Sequence, residues 1–324
     1  MTAFPDSQHG TIPGMPTPAS LRVAVLLSTH NGARFLREQL DSIIAQTHAN
    51  WLIVASDDGS TDATLTILED YRNKLGAQRL QIRRGPCRGY AANFLSTATD
   101  KSIEADAFAF ADQDDVWHPD KLERAVSWLC EQPQEQPSLY CSRTRLIDAS
   151  GDPIGCSPLF SKPPSFRNAL VQSLAGGNTM VFNRAARNLL AEAGTPPIVS
   201  HDWWFYMLIT GYGGLLHYDP SPSIDYRQHG ANIIGSNLSL SDHLYRLRRL
   251  LSGHFQRWNE INLRALSLHE NLLTEENQKV LIHFAQARQT SWLDSLRTLL
   301  SCGIYRQTTL GNLGLAAAAL LRRI

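Results

Sequence analysis

Three acidic side chains fall within four residues, Asp112-Gln113-Asp114-Asp115, directly after the apolar run Ala107 to Ala111. Carboxylates this close repel one another, so the cluster is costly unless a cation or a positive partner neutralises it. A hard divalent ion, Mg²⁺ or Mn²⁺, would do so, because these ions prefer oxygen ligands and commonly share their coordination shell with substrate phosphates. The same cluster would also serve as an acidic loop capping a helix that begins near Pro119. A second polar cluster, Asp57-Asp58-Gly59-Ser60-Thr61-Asp62, ends another apolar run. Gly59 suits a sharp turn and Asp62 can cap the next helix. A carboxylate placed there can also accept hydrogen bonds from a base N–H or from ribose hydroxyls. A third cluster, Ser28-Thr29-His30-Asn31-Gly32, offers hydroxyls beside a permissive glycine. It lacks the G-x-x-x-x-G-K-[ST] and G-x-G-x-x-G patterns, so neither a P-loop nor a Rossmann dehydrogenase is supported.

The elements that must position these clusters alternate. Arg22 to Ser28 is a short apolar run suited to a strand buried on both faces, and Phe35 to Gln46 has helical spacing. Trp51 to Ala55 is the next strand, followed by a helix through Leu65, Ile67 and Leu68. Leu80 to Arg83, Tyr90 to Thr97 and Ala107 to Ala111 continue the series as strand, helix and strand. A βαβαβαβ order implies an α/β fold with a mainly parallel central sheet flanked by helices, and ligands bind where the carboxyl ends of such strands open into loops. All three polar clusters therefore belong on one edge. Beyond Pro119 the pattern is mixed: a helix over Lys121 to Leu129, a strand over Leu139 to Ile147, a short strand over Thr179 to Phe182, a helix from Asp202 to Ile209, and strands at Leu215 to His217 and Ile224 to Tyr226. From Ser239 onward the pattern is helical, with Leu244, Leu247 and Leu251 on one face. The expected division is a loose tail over 1–20, an α/β domain over 21–238 and a C-terminal helical region over 239–324.

Bulk properties exclude some classes. The net charge is zero, which gives no sign of a nucleic-acid partner, yet residues from 240 onward hold 11 Lys and Arg against 6 Asp and Glu. The five cysteines are odd in number and widely spaced, which fits a reducing cytoplasm. Leu313 to Leu321 is the longest apolar stretch, short of the about 20 residues that a bilayer span needs. The basic C-terminal region suits either helices packed on the main domain or a peripheral contact with the inner face of the cytoplasmic membrane.

Taken together, Val25-Leu-Leu-Ser-Thr-His-Asn-Gly32, the Asp57 to Asp62 turn and Asp112-Gln-Asp-Asp-Val-Trp117 resemble a family 2 glycosyltransferase with the Rossmann-like GT-A fold, over roughly residues 22–235. His201-Asp202-Trp203-Trp204 and Tyr226-Arg-Gln-His-Gly230 make it similar to rhamnosyltransferases of O-antigen and cell-surface polysaccharide assembly. The resemblance implies that Thr29, Asn31 and Asp57 or Asp58 hold the nucleoside, that Asp112 faces the ribose or donor sugar, and that Asp114 binds Mg²⁺ or Mn²⁺. It places Asp202 as catalytic base, with His201, where the family has a second acid, as a catalytic partner that aims or tunes it, and it puts the Gly85 to Gly89 loop near the nucleotide, with Arg88 where a small or amide residue is commoner. Arg227 and His229 would complete the diphosphate and metal site, and Trp203 and Trp204 would stack on an acceptor sugar.

A nucleoside diphosphate leaving group, expected here as that of dTDP-L-rhamnose, departs with negative charge that a metal stabilises, so no general acid is needed. One carboxylate suffices to take the proton of the incoming hydroxyl, giving inversion at the anomeric carbon. The acceptor would be a saccharide, free or lipid-linked. Two other readings share parts of this pattern. A sugar nucleotidyltransferase would show a Gly-rich basic segment after the first strand, where Ser28 to Phe35 offers only Gly32 and Arg34. A catalytically silent sugar-nucleotide-binding module would not need Asp112, Asp114 and Asp202 together.

Overall fold

The computed structural model describes residues 17–229 and 253–324. Most of the expected tail and the Leu244 to Leu251 face lie outside the described residues. The end of the tail is ordered: Pro18–Ser20 forms a 3₁₀ turn whose Ser20 carbonyl accepts from Nδ2 of Asn50 at 2.9 Å.

Four strands follow the expected alternation, β1 (Val23–Thr29), β2 (Trp51–Asp57), β3 (Leu80–Arg84) and β4 (Ala107–Ala111), and a short β5 (Val116–Trp117), which the sequence pattern does not mark, comes after them. Between them run α1 (Leu36–Ile44), α2 (Thr64–Leu75) and α3 (Tyr90–Ala98), and α4 (Lys121–Cys130) follows. The chain continues through β6 (Ser138–Ser142), β7 (Arg145–Ile147), β8 (Pro153–Cys156), α5 (Phe166–Ala169), β9 (Val181–Asn183), α6 (Arg184–Ala193), α7 (His201–Tyr212), β10 (Leu215–Asp219) and β11 (Ile224–Arg227). Four helices close the described chain: α8 (His254–Leu268), α9 (Glu275–Ala287), α10 (Trp292–Ser301) and α11 (Thr309–Leu320).

A seven-stranded sheet has the order β10-β6-β9-β4-β1-β2-β3, with β9 antiparallel to both neighbours and the other pairings parallel. Its central strands are sealed on both faces. Val23, Val25 and Leu27 enter one core with α1, α2 and α4, while Ala24 and Leu26 enter the other with α3, α6 and α7. That alternation is the period of two that sheet geometry imposes. The second core also takes in Leu263, Leu266, Phe284 and Leu315, so the C-terminal helices are built onto the sheet's own packing.

From β1 the chain steps outward through β2 and β3, then returns to lay β4 on the other side of β1. The reversal opens a crevice between the carboxyl ends of β1 and β4, the usual place for a ligand in an open α/β sheet. The loops beginning at Ser28 and Asp112 flank it.

The run expected as one strand over Leu139 to Ile147 is divided. Residues 138–142 join the main sheet as β6, and 145–147 join a second, four-stranded sheet of order β5-β11-β7-β8. Between them Arg143 donates its N–H to the Asp219 carbonyl at 2.9 Å and Thr144 pairs with Ser157, which turns the chain from one sheet to the other. Asp225 anchors this small sheet through both the guanidinium of Arg145, at 2.5 Å, and His118, at 2.9 Å. Those two partners outweigh burial and hold the Asp225 carboxyl down at about 2. Among the described residues no helix is long and apolar enough to cross a membrane.

Candidate active site

At the end of β2, Asp57 is committed to its own loop. One carboxylate oxygen accepts from the Gly59 and Ser60 N–H groups at 3.2 and 2.9 Å, and the other accepts from the Thr29 and Ser60 hydroxyls at 2.9 and 2.5 Å. Asp58 accepts from the Cys87 and Gly89 N–H groups at 2.6 and 2.9 Å, which folds the Gly85 to Gly89 loop over the strand end. Only glycine fits at 85, where a Cβ would stand 2.7 Å from Oδ1 of Asn93 and 2.8 Å from Oδ1 of Asp58. The buried Asn93, on α3, locks the same corner by donating to the Ser28 hydroxyl and the Ser56 carbonyl and accepting from the Ser56 hydroxyl.

Gln113 ties the β4 loop to the β1 loop, accepting from the His30 N–H at 2.8 Å and donating to its carbonyl at 3.0 Å. Its amide occupies the space that a Cβ at Gly32 would need, 2.1 Å away. Asn31, with φ of 50°, donates its N–H to the Ser60 hydroxyl and accepts from the Thr61 N–H, both at 2.8 Å. The three strand-end loops are therefore braced as one unit.

The acidic cluster divides. Asp115 turns inward, fully buried, accepting from Nδ2 of Asn178 at 2.5 Å and from the Arg227 N–H at 3.3 Å. Beneath it lies Lys121, also fully buried, its ammonium hydrogen-bonded to the Asn178 carbonyl and 3.8 Å from the centre of the Trp117 ring. Nothing in the sequence marks this internal cation, because a lysine at a helix start reads as solvated and no periodicity sets it apart. Burial pulls the Lys121 ammonium down to about 7 against the opposing pull of Asp115 and Asp112. Burial, then the charges of Asp112 and Asp114, hold the Asp115 carboxyl well above its usual range.

Asp112 and Asp114 face the cleft. Burial raises Asp112 to about 7, helped by the charges of Asp114 and Asp202 and resisted by Lys121. Oδ2 of Asp114 lies 2.7 Å from Nε2 of His229, whose ring rests on Phe35 at 5.1 Å. Asp202 stands in the first turn of α7, where the helix dipole favours negative charge, and accepts from the Trp203 N–H at 2.7 Å. Burial, then the charges of Asp202 and Asp112, pushes the hydroxyl of Tyr90, at the start of α3, up to about 12, so it remains a donor.

The structure places the site residues expected from the sequence unequally with respect to the cleft. Arg227 is only 2% exposed; it donates to the Asp114 carbonyl at 3.1 Å and pairs with Glu38 at 2.5 Å, so it braces the acidic loop from behind and does not line the cleft. Of the two alternatives for the nucleoside, Asp58 lines the cleft, while Asp57 braces its own loop and does not. Trp204 is wholly buried, because α7 carries apolar residues on every face and is enclosed; Trp203 reaches the cleft wall while its indole N–H donates to the Ala169 carbonyl at 2.6 Å. His201 lines the floor, stacked on Phe94 at 4.0 Å and edge-on to Phe110 at 4.9 Å, and neither ring nitrogen has a hydrogen-bond partner among the described residues. Burial pulls it down to about 4, so it is neutral at neutral pH and makes no hydrogen bond to Asp202. Thr29, Asn31, Asp58, Asp112, Asp114, Asp202 and His229 do line one cleft of about 1630 Å³. A single small-ligand pocket is roughly 300–1,000 Å³, so two substrates have room.

Residues 24–154 match the family Glycosyl transferase family 2. The chain carries a family 2 glycosyltransferase domain. Over 254 residues this glycosyltransferase is 27% identical to the dTDP-rhamnosyl transferase RfbG of Shigella flexneri, a match covering 68% of the chain and 78% of that protein. It is 32% identical over 134 residues to the uncharacterized glycosyltransferase RP339 of Rickettsia prowazekii, covering 41% of the chain and 40% of its relative. Its fold is the GT-A fold, similar to S. aureus TarS 1-349 solved with UDP-GlcNAc: the TM-score is 0.55 at 16% identity, over 94% of this chain and 89% of that one.

The stacked charges give the glycosyltransferase a defined pH response. Asp112 holds its proton up to about pH 7 when folded, against 3.8 for an unperturbed carboxyl, so the folded state binds more protons in that window and loses stability as pH rises through it. Lys121 works oppositely between about 7 and 10.5, where the folded state binds fewer protons and stability is regained. Melting curves in EDTA should therefore fall from pH 5.5 to 7, with a flatter slope in Asp112→Asn; equal slopes would show that Asp112 does not titrate there.

Proposed function

We propose that the chain is an inverting, metal-dependent transferase that moves L-rhamnose from dTDP-L-rhamnose to a saccharide acceptor of cell-surface polysaccharide, such as O-antigen. The observation that carries this reading is the convergence of Asp112 and Asp114, from the loop after β4, with Asp202, from the first turn of α7, on one cleft at the sheet's reversal point. The similarity to RfbG supports the choice of donor.

Among the described residues no three His, Cys, Asp or Glu side chains are gathered to hold an ion. Asp114 and His229 nevertheless fit Mg²⁺ or Mn²⁺, which characteristically take one or two protein ligands and complete their shell with waters and substrate phosphates. Oδ2 of Asp114 and Nε2 of His229 are hydrogen-bonded at 2.7 Å, so both are near enough to each other to be offered to one ion in place of that bond. When bound, the ion would neutralise charge on the departing diphosphate. Asp202 takes the proton from the acceptor hydroxyl as its oxygen attacks the anomeric carbon. Thr29, Asn31 and Asp58 hold the nucleoside, Asp112 faces the donor sugar or ribose, and Trp203 offers its ring to the acceptor. Arg88, exposed on the loop that Asp58 folds, stays near the nucleotide without an assigned contact. The C-terminal helices make a peripheral contact with the membrane that carries the acceptor.

Thermal-shift titration against a panel of sugar nucleotides, with and without Mn²⁺, tests this reading. At a hundredfold excess over Kd, dTDP-L-rhamnose should raise Tm by about 5 °C, and only with the ion present. An equal response without Mn²⁺ would overturn the roles of Asp114 and His229, and preference for a different donor would overturn the rhamnosyl assignment.

A further inference from the structure

Helix α11 contains no charged residue, and its inner face, Leu315, Ala318 and Ala319, belongs to the core. Its outer face is unusual. Leu310, Leu313, Leu320 and Leu321 are 59, 63, 50 and 48% exposed, and with Ala317 they recur at helical spacing as one stripe. Single exposed leucines are ordinary, but a continuous apolar stripe on an uncharged helix marks a surface that meets something apolar.

Two further observations identify the occupant. From residue 295 to the end the chain holds Arg297, Arg306, Arg322 and Arg323 and no Asp or Glu, with Arg306 before the stripe and Arg322 and Arg323 after it. Leucines bracketed by cations are the pattern of a helix lying in an anionic lipid surface. A second copy is a poor match, because an isologous antiparallel contact would bring the Arg306 end of one helix onto the Arg322 end of the other. The stripe is also continuous with the active site, since Leu310, Leu313 and Ala317 form a wall of the cleft.

We propose that α11 lies in the surface of an anionic bilayer, with its leucines at the acyl boundary, so that the cleft opens against the membrane and receives an acceptor carried on a lipid. This rests on the glycosyltransferase reading of the cleft. The test is co-sedimentation of the full chain with phosphatidylcholine vesicles, with and without phosphatidylglycerol. Wild type should bind the anionic vesicles at least about tenfold more tightly, and the Leu320→Glu/Leu321→Glu variant, altered outside the cleft, should lose at least about tenfold. Its thermal shift with dTDP and Mn²⁺ should match wild type. No preference for anionic vesicles, or full binding by the variant, would overturn the proposal, as would a wild-type dimer that the variant abolishes without vesicle binding. Vesicle binding with no nucleotide response would uphold the surface and overturn the donor reading.

Discussion

Asp202→Asn should lower turnover by about 10²–10⁴-fold while the donor KM changes little. Asparagine keeps the size of the side chain and an oxygen able to accept from the Trp203 N–H, so the start of α7 should stay in place. What it removes is the capacity to take a proton. The neutral, buried His201 cannot substitute, because its ring nitrogens have no hydrogen-bond partner among the described residues and it holds its proton only below about pH 4. Tyr90, with its hydroxyl pushed up to about 12, is a donor and not a base at neutral pH. Steady-state kinetics beside an unchanged Tm would show the effect. Retention of near-wild-type turnover would move the base elsewhere.

The second large effect is expected at Asp114. Asp114→Ala should abolish the Mn²⁺-dependent nucleotide shift and lower turnover on the order of 10³-fold, the equivalent of several kcal/mol of charge stabilisation. The fold should survive, because the braces of this loop run through the Asp114 backbone carbonyl to Arg227, through Asp115 to Asn178, and through Gln113 to His30. His229→Ala, which leaves the carboxylate, should cost less, about 10–100-fold. Calorimetric titration with Mn²⁺ and dTDP separates the two variants. Undiminished ion affinity in Asp114→Ala would remove Asp114 from the metal site.

The same cluster shows where local reading stops. Asp112, Asp114 and Asp115 look alike as a string, and repulsion among them correctly signals a need for positive charge. The structure meets that need from within through Lys121, sealed beneath Asp115 and also acting on Asp112, while Asp112 and Asp114 face the cleft. Which carboxylate faces which way depends on Asn178 and Arg227, 63 and 112 residues further on. Arg227 and Asp57 carry charges suited to a substrate, yet both are spent on holding loops.

By itself the chain's order of residues determined β1, β2 and β4, their polar termini and the shared edge, because apolar runs of strand length and the parallel direction that intervening helices impose are properties of short segments. Only the tertiary structure decided that Trp204 is core while Trp203 reaches the cleft, that Leu139 to Ile147 serves two sheets, and that α11 turns leucines outward. Each of those outcomes depends on what packs against the segment from far along the chain, and burial is a property of that packing and not of the residue.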